Sequence, residues 1–178
     1  MVDSRRGRRV PLGAWRWLTG LFLALPAAAA GAQEIAPGVS APEIDLPTLD
    51  GGRVKLSALR GHAVVVTFWG TWCPPCKAEF PELVAAHRKY REAGLEVLAV
   101  NQRDQELRTS DVEAFVKEYG VEFSVALDAR GRSRRSYRLI ALPTTVFIDT
   151  AGIIQSVHMG PISAVELGRG LAAILPSK

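Results

Sequence analysis

The chain has 178 residues, 48% of them hydrophobic and 22% charged, with 22 Lys and Arg against 18 Asp and Glu. That length suits one domain with a substantial core. Arg5, Arg6, Arg8, Arg9 and Arg16 stand against Asp3 alone in residues 1–32; the rest is balanced at 17 basic and 17 acidic residues, so the net charge of +4 makes no case for nucleic-acid binding.

Residues 1–32 have the three parts of an export signal: the arginine-rich "SRRGRR", the apolar "WRWLTGLFLALPAAAA" and a small-residue site at Ala30-Gly31-Ala32. Pro26 and the alanine run make a poor core helix. The segment reads as a signal peptide or as an N-terminal membrane anchor. Its apolar part, within residues 15–32, is at the lower edge of the roughly 17–25 residues that cross a bilayer, and the arginines before it would hold that end in the cytoplasm. "SRRG" also resembles a twin-arginine signal, although Arg8 stands where an apolar residue is expected. Either outcome places residues 33–178 outside the cytoplasmic membrane, periplasmic or held at its outer face. Residues 33–40, with Pro37 and Gly38, read as a linker, and 41–178 as the folded domain.

In "EIDLPTLDGGRVKLSAL" (43–59), Ile44 and Leu46 alternate with polar residues, Asp50-Gly51-Gly52 turns the chain, and Val54 and Leu56 alternate again, which predicts a β-hairpin followed by a helical turn at Ser57. "AVVVTFW" (63–69) is an unbroken apolar run suited to a central strand covered on both faces. The segment from Cys73 predicts a helix, with Leu83, Ala86 and Tyr90 at helical spacing and Gly94 as its stop. "LEVLAVN" (95–101) is the next strand. After a polar connection (104–110), "SDVEAFVKEYG" (110–120) predicts an amphipathic helix capped by Ser110, with Val112, Phe115, Val116 and Tyr119 on one side. "FSVALD" (123–128) reads as a strand and "RGRSRRSYRLIA" as a short basic helix. "TTVFID" and "IIQSVHMG" read as strands joined in a hairpin at Ala151-Gly152, and "SAVELGRGLAAIL" (163–175) as a helix capped by Ser163. Alternating strands and helices call for an α/β domain with a parallel core sheet, helices on both faces and antiparallel edge strands from the final hairpin.

The only two cysteines, Cys73 and Cys76, lie in "WGTWCPPCKAEFP" (69–81). Three readings compete: a zinc half-site, a static disulfide and a redox pair. Zinc wants a second ligand pair at similar spacing, and His62, His87 and His158 are each isolated. A disulfide closing so short a loop removes little unfolded-state entropy. A redox pair accounts for the position, after a buried strand and at the opening of a helix, where free amides and the dipole stabilise a thiolate. Cys73, ahead of the first turn with its sulfur toward solvent, is then the nucleophile, and Cys76, a turn further in, resolves the mixed disulfide. Pro74 and Pro75 fall on the first two helical positions, where amides have no helical partner. Trp72 and Trp69 are candidate apolar walls beside the sulfur.

Together, "FWGTWCPPCKAEFPEL", "GLEVLAVN" and "ALPTTVFID" resemble the thioredoxin superfamily, in particular the TlpA/ResA-type extracytoplasmic thiol-disulfide oxidoreductases, with a redoxin-like opening. The resemblance covers most of residues 40–175. It implies a thioredoxin-like fold, a central mixed β-sheet flanked by helices with an N-terminal β-hairpin and an inserted helix. It implies that Pro143, after Leu142, is the cis-proline whose loop binds substrate beside the cysteines, and that Pro81 kinks the first helix. Thioredoxin's buried aspartate, six residues before the first cysteine, is replaced here by Thr67. Glu79 matches a glutamate of ResA-type proteins and could take the proton of Cys76; the alternative is a solvated glutamate pairing with a lysine. Arg130, Arg132, Arg134, Arg135 and Arg138 form a basic face that could steer an acidic partner, or simply a solvated helix face.

What this implies is a reductase of exported proteins, apocytochrome c among them, recharged by a membrane reductant carrier. It would act as a monomer without cofactor or metal. A disulfide-forming oxidase is the opposite direction of the same chemistry. A thiol peroxidase is the other enzyme class, since "APEIDLPTLDGG" also resembles redoxins, but Thr71 stands two rather than three residues before Cys73 and the expected proline is missing. A copper chaperone would want a different cysteine spacing and a paired histidine.

Overall fold

A strand walled in on both faces needs an unbroken apolar run, and β3 (Ala63–Trp69) is buried at all seven positions. The computed structural model of the protein describes residues 35–176; the export segment 1–32 lies outside the described residues. In chain order the elements are β1 (Asp45–Pro47), β2 (Arg53–Lys55), β3, α1 (Pro74–Tyr90), β4 (Leu95–Asn101), α2 (Thr109–Glu118), β5 (Ser124–Leu127), α3 (Arg132–Ser136), β6 (Thr144–Ile148), β7 (Ile154–Met159) and α4 (Ala164–Ile174). No helix among the described residues is long and apolar enough to cross a membrane.

β1 and β2 form the expected antiparallel hairpin, and the other five strands form a sheet of order β5-β4-β3-β6-β7. β3, β4 and β5 are parallel, while β6 runs antiparallel to both β3 and β7. The final hairpin therefore does not sit wholly at the edge. β6 enters the sheet beside β3, putting Thr145 opposite Thr67, and of the hairpin's two strands only β7 is an edge.

Alternation along β3 divides the core. Ala63, Val65 and Trp69 face Phe80 and Leu83 of α1, Val112 and Phe115 of α2, and Leu167 and Leu171 of α4. Val64, Val66 and Phe68 face the opposite way, against Ile44, Leu46, Val54 and Leu56 of the hairpin region and Tyr137 at the end of α3. Three helices thus share one face, and the hairpin covers most of the other. Tyr137 is fully buried, packs its ring at a tilt 4.8 Å from that of Phe68, and donates its hydroxyl to the Pro42 carbonyl at 2.7 Å.

Two helix starts differ from expectation. α2 begins at Thr109 rather than beyond Ser110, and its N-cap, Arg108, makes no side-chain capping bond. α3 has five residues because Gly131, in the left-handed region at φ 58°, starts it and Arg138, at φ 47°, turns the chain away. Its free amides go to Asp128, which accepts from the N–H groups of Arg132 and Ser133 at 2.8 Å and from the Ser133 hydroxyl. Ser163 caps α4 as expected, with Glu166 completing the reciprocal capping box.

α4 approaches the sheet closely at Gly170, where a Cβ would overlap the ring of Phe147, itself buried in β6. Helix propensity favours Gly170→Ala by about 1 kcal/mol, but overpacking a ring that cannot swing into solvent costs about 1–3 kcal/mol. The substitution is expected to destabilise the protein by about 1 kcal/mol, measured as a lower urea midpoint at unchanged slope; a raised midpoint would show that α4 can lift away.

Candidate active site

The carboxyl end of β3 delivers the chain through Gly70, Thr71 and Trp72 to Cys73, the N-cap of α1. Pro74 and Pro75 occupy the first two helical positions, and the Cys73 sulfur accepts the backbone N–H of Cys76 at 3.2 Å. Proline has no N–H to lose there and its fixed φ suits the first turn, so the pair starts the helix. Cys73 and Cys76 form a disulfide, with Cα atoms 5.3 Å apart. Both are buried, Cys73 at 3% exposure. The expectation of a solvent-facing Cys73 sulfur is not met in this state, where bonding to Cys76 and to its amide draws the sulfur inward.

Glu79 lies one turn past Cys76 on the same helix and is 1% exposed. Its carboxyl accepts the Thr67 hydroxyl at 2.8 Å and, more weakly, the Ile162 N–H at 3.4 Å. The Thr145 hydroxyl reaches Thr67 in turn, at 3.4 Å. At that exposure, and with no lysine among the described residues paired to Glu79, the solvated alternative is overturned. Desolvation pushes its pKa up from 4.5 to about 7 against the two hydrogen bonds, which lower it. Thr67, which stands at the sequence position of thioredoxin's aspartate, is thus the hydroxyl donor to this buried carboxyl.

Sequence reasoning missed Glu106. It sits in the polar connection after β4, yet is buried, and it grips the loop ahead of Cys73: Oε1 accepts the Thr71 N–H at 2.7 Å and the Asn101 side-chain amide at 2.8 Å, and Oε2 accepts the Thr71 hydroxyl at 2.5 Å. The contact spans 35 residues, and no local periodicity signals it.

Of the two tryptophans, Trp69 is core packing: it is fully buried, with its ring 4.7 Å from Phe80 and 4.5 Å from Phe115. Trp72 is half exposed, and its indole folds over Gly70, where a Cβ would stand 2.8 Å from the ring. The Leu142–Pro143 bond is cis. Because Thr144 pairs with Phe68, the buried Pro143 arrives beside the end of β3, and its carbonyl accepts the Gly160 N–H at 2.8 Å. The structure thus gathers the cysteines, Glu79, Trp72 and the Leu142-Pro143 loop at one edge of the sheet. Among the described residues no group of three His, Cys, Asp or Glu side chains is placed to hold a metal ion.

Residues 37–157 match the AhpC/TSA family. The chain is 37% identical over 134 residues to the thiol-disulfide oxidoreductase ResA of Bacillus subtilis, covering 75% of this chain and 73% of that protein. Among solved structures it resembles a Chlorobium tepidum protein assigned as the thiol:disulfide interchange protein DsbE, with TM-score 0.71 and 34% identity over 78% of this chain and 96% of the other. It also resembles StoA of Bacillus subtilis, with TM-score 0.64 and 28% identity over 75% and 98%. The chain belongs to the AhpC/TSA family and is a thioredoxin-like thiol-disulfide oxidoreductase of ResA type.

The raised pKa of Glu79 ties stability to pH. Below 4.5 the carboxyl is protonated in both folded and unfolded chains; between 4.5 and about 7 only the folded form keeps the proton. Its contribution is therefore fully present below the unfolded value and is lost as pH rises through about 7, a fall of about 3 kcal/mol. Urea denaturation of the disulfide form at pH 5 and pH 8 should show this fall and Glu79→Gln should remove it; an equal fall in the variant would locate the titration elsewhere.

Proposed function

We propose that this protein reduces disulfides in exported proteins, with Cys73 as nucleophile, Cys76 as resolving thiol and Glu79 as the group that takes the Cys76 proton. The observation that carries this reading is the buried Glu79, poised near pH 7 one turn from Cys76. In the cycle the Cys73 thiolate attacks a substrate disulfide, and the first substrate sulfur leaves and is protonated. Cys76 passes its proton to Glu79 and attacks the Cys73 sulfur. The second substrate thiol is released, and the two electrons given up leave the protein in the disulfide form. Leu142, Pro143 and Trp72 form the surface against which the substrate lies.

The reductive direction is supported by the prolines. Pro74 and Pro75 remove two amides that could have donated to the Cys73 sulfur, leaving the N–H of Cys76 and the dipole. A less stabilised thiolate makes a weaker oxidant, since strong oxidants owe their potential to a stable reduced form. Similarity to ResA and DsbE supports thiol- or disulfide-bearing proteins as substrates. In this reading residues 33–178 work outside the cytoplasmic membrane, with 1–32 as signal peptide or tether, apocytochrome c is among the substrates and a membrane carrier supplies the electrons. The protein acts as a monomer.

The family match also brings a thiol peroxidase into question. Against that, the Thr71 hydroxyl is already committed to Glu106 at 2.5 Å. Peroxide turnover with a thiol donor at a rate matching disulfide reduction would favour the peroxidase.

Two measurements test the proposal. The reduction potential of the pair is expected below about −250 mV, and a value near about −120 mV would make the protein an oxidase. Cys76→Ser is expected to trap mixed disulfides through Cys73; equal trapping by Cys73→Ser would reverse the roles of the two thiols.

A further inference from the structure

Five large apolar side chains are strongly exposed among the described residues: Trp72 at 50%, Leu107 at 92%, Ile140 at 83%, Met159 at 58% and Val165 at 64%. Trp72 follows β3, Leu107 follows β4, Ile140 precedes β6, Met159 ends β7 and Val165 opens α4. Because β3, β4 and β7 run one way and β6 the other, all five leave the same edge of the sheet, where Cys73 caps α1. A single exposed apolar residue is ordinary, but five on one edge point to a surface that meets a partner.

Charge at that edge is also one-sided. The connection from β5 to β6 starts and ends there, since β5 is parallel to β4 and β6 antiparallel to β3. Residues 129–143 carry five arginines and no acidic residue. The neighbouring carboxylates are engaged: Asp128 is buried on the amides of Arg132 and Ser133, Asp104 pairs with Arg134 at 2.8 Å, and Asp45, which shares a cavity with Arg130 and Arg132, pairs with Arg53 at 2.5 Å. Arg130, Arg132 and Arg135 are exposed, with no carboxylate at ion-pair distance among the described residues. Arg134, Gln105 and the Leu139–Leu142 stretch, which ends at the cis Leu142–Pro143 bond, line a cleft of about 210 Å³.

We propose that this edge docks an extended, cysteine-bearing segment of the partner protein that carries acidic residues next to an apolar one. The apolar side chain enters the cleft against Ile140 and Leu142, and the acidic groups meet Arg130, Arg132 and Arg135. The inference rests on the reading of Cys73 as the exchanging thiol and adds the charge class of the segment it attacks. Exposed ion pairs contribute little individually, so the selection acts mainly on the association rate.

The test uses the reduced full chain and two synthetic peptides, each with one cysteine in mixed disulfide with 2-nitro-5-thiobenzoate. One carries Leu with Asp and Glu, the other Leu with two Lys. The Cys73 thiolate attacks the peptide sulfur and nitrothiobenzoate leaves as its coloured thiolate; Cys76 then closes the protein disulfide and releases the peptide thiol. The acidic peptide is expected to react about tenfold faster at low ionic strength, with the difference collapsing in about 0.5 M NaCl. The triple variant Arg130→Glu, Arg132→Glu, Arg135→Glu should invert the preference, and Ile140→Ser should slow both peptides severalfold. Both variants should reduce uncharged hydroxyethyl disulfide at the parent rate. If hydroxyethyl disulfide is not reduced at all, the reading of Cys73 fails and the docking inference with it. If it is reduced but the two peptides react alike, Cys73 keeps its role and the docking inference alone is overturned. Equal peptide rates together with arginine-dependent binding to phosphatidylglycerol vesicles would likewise overturn it, assigning the arginines to a lipid surface.

Discussion

A carboxyl group buried one turn beneath a disulfide is the constraint around which this protein is arranged. An ionised carboxylate in an apolar interior is expensive, and the usual resolution is a raised pKa with at least one hydrogen bond to spare the neutral acid. Glu79 is held that way, and the requirement reaches into three other elements. The series Ala63, Val65, Thr67 and Trp69 points at the helices, and only its third member is polar, at the place where Glu79 needs a donor. β6 supplies Thr145 directly opposite, and the segment before α4 supplies the Ile162 amide. β6 lying inside the sheet, and the segment leading into α4, both bear on this one group.

Glu106 solves the opposite problem on the other side of Cys73. The loop 70–73 must leave the end of β3 and become the cap of a helix, and its amides have no strand partner there. Glu106 takes the Thr71 N–H and hydroxyl in short bonds and is steadied by Asn101, the residue paired with Trp69 in the sheet. The connections after β3 and β4 are thereby joined by a side chain rather than by backbone pairing. Glu79 and Glu106 divide the work by their donors: the first receives a hydroxyl and a distant amide, the second two short N–H bonds and a hydroxyl.

Much of this was legible in the sequence, for physical reasons. Continuous β-branched and aromatic runs have one comfortable home, so β3 and β4 were readable residue for residue. Asp50-Gly51-Gly52 could only turn a hairpin, and Ser163 with Glu166 announces a helix start through a local bond pattern. Interactions remote in sequence were not legible. Nothing around Glu106 marks it as the partner of a threonine 35 residues away, and the burial of Glu79 depends on Thr67 in a different element. Trp69 and Trp72 look alike in sequence, yet one is core and the other surface, because the strand ends between them. The short α3 was readable as basic, but its length depends on left-handed backbone at Gly131 and Arg138; a glycine hints at the first, and nothing local marks the second.

In the proposed cycle the prolines and Glu79 act on different sulfurs, and that separation would let one short motif set both steps. Pro74 and Pro75 bear only on Cys73: by removing two donors they leave its sulfur with the single amide of Cys76, which limits how far its thiolate is stabilised without touching the deeper cysteine. The proposed role of Glu79 concerns Cys76, which is fully buried and as a thiol would otherwise have to ionise in apolar surroundings. In the proposed step Glu79 takes the Cys76 proton as its carboxylate, and because it titrates near 7 it keeps the proton and is neutral when the thiolate forms, so no carboxylate charge remains to repel that thiolate. A carboxylate of ordinary pKa at the same depth would be charged throughout and would oppose Cys76 ionisation, so the cost of burying Glu79 is what makes it serviceable as the acceptor.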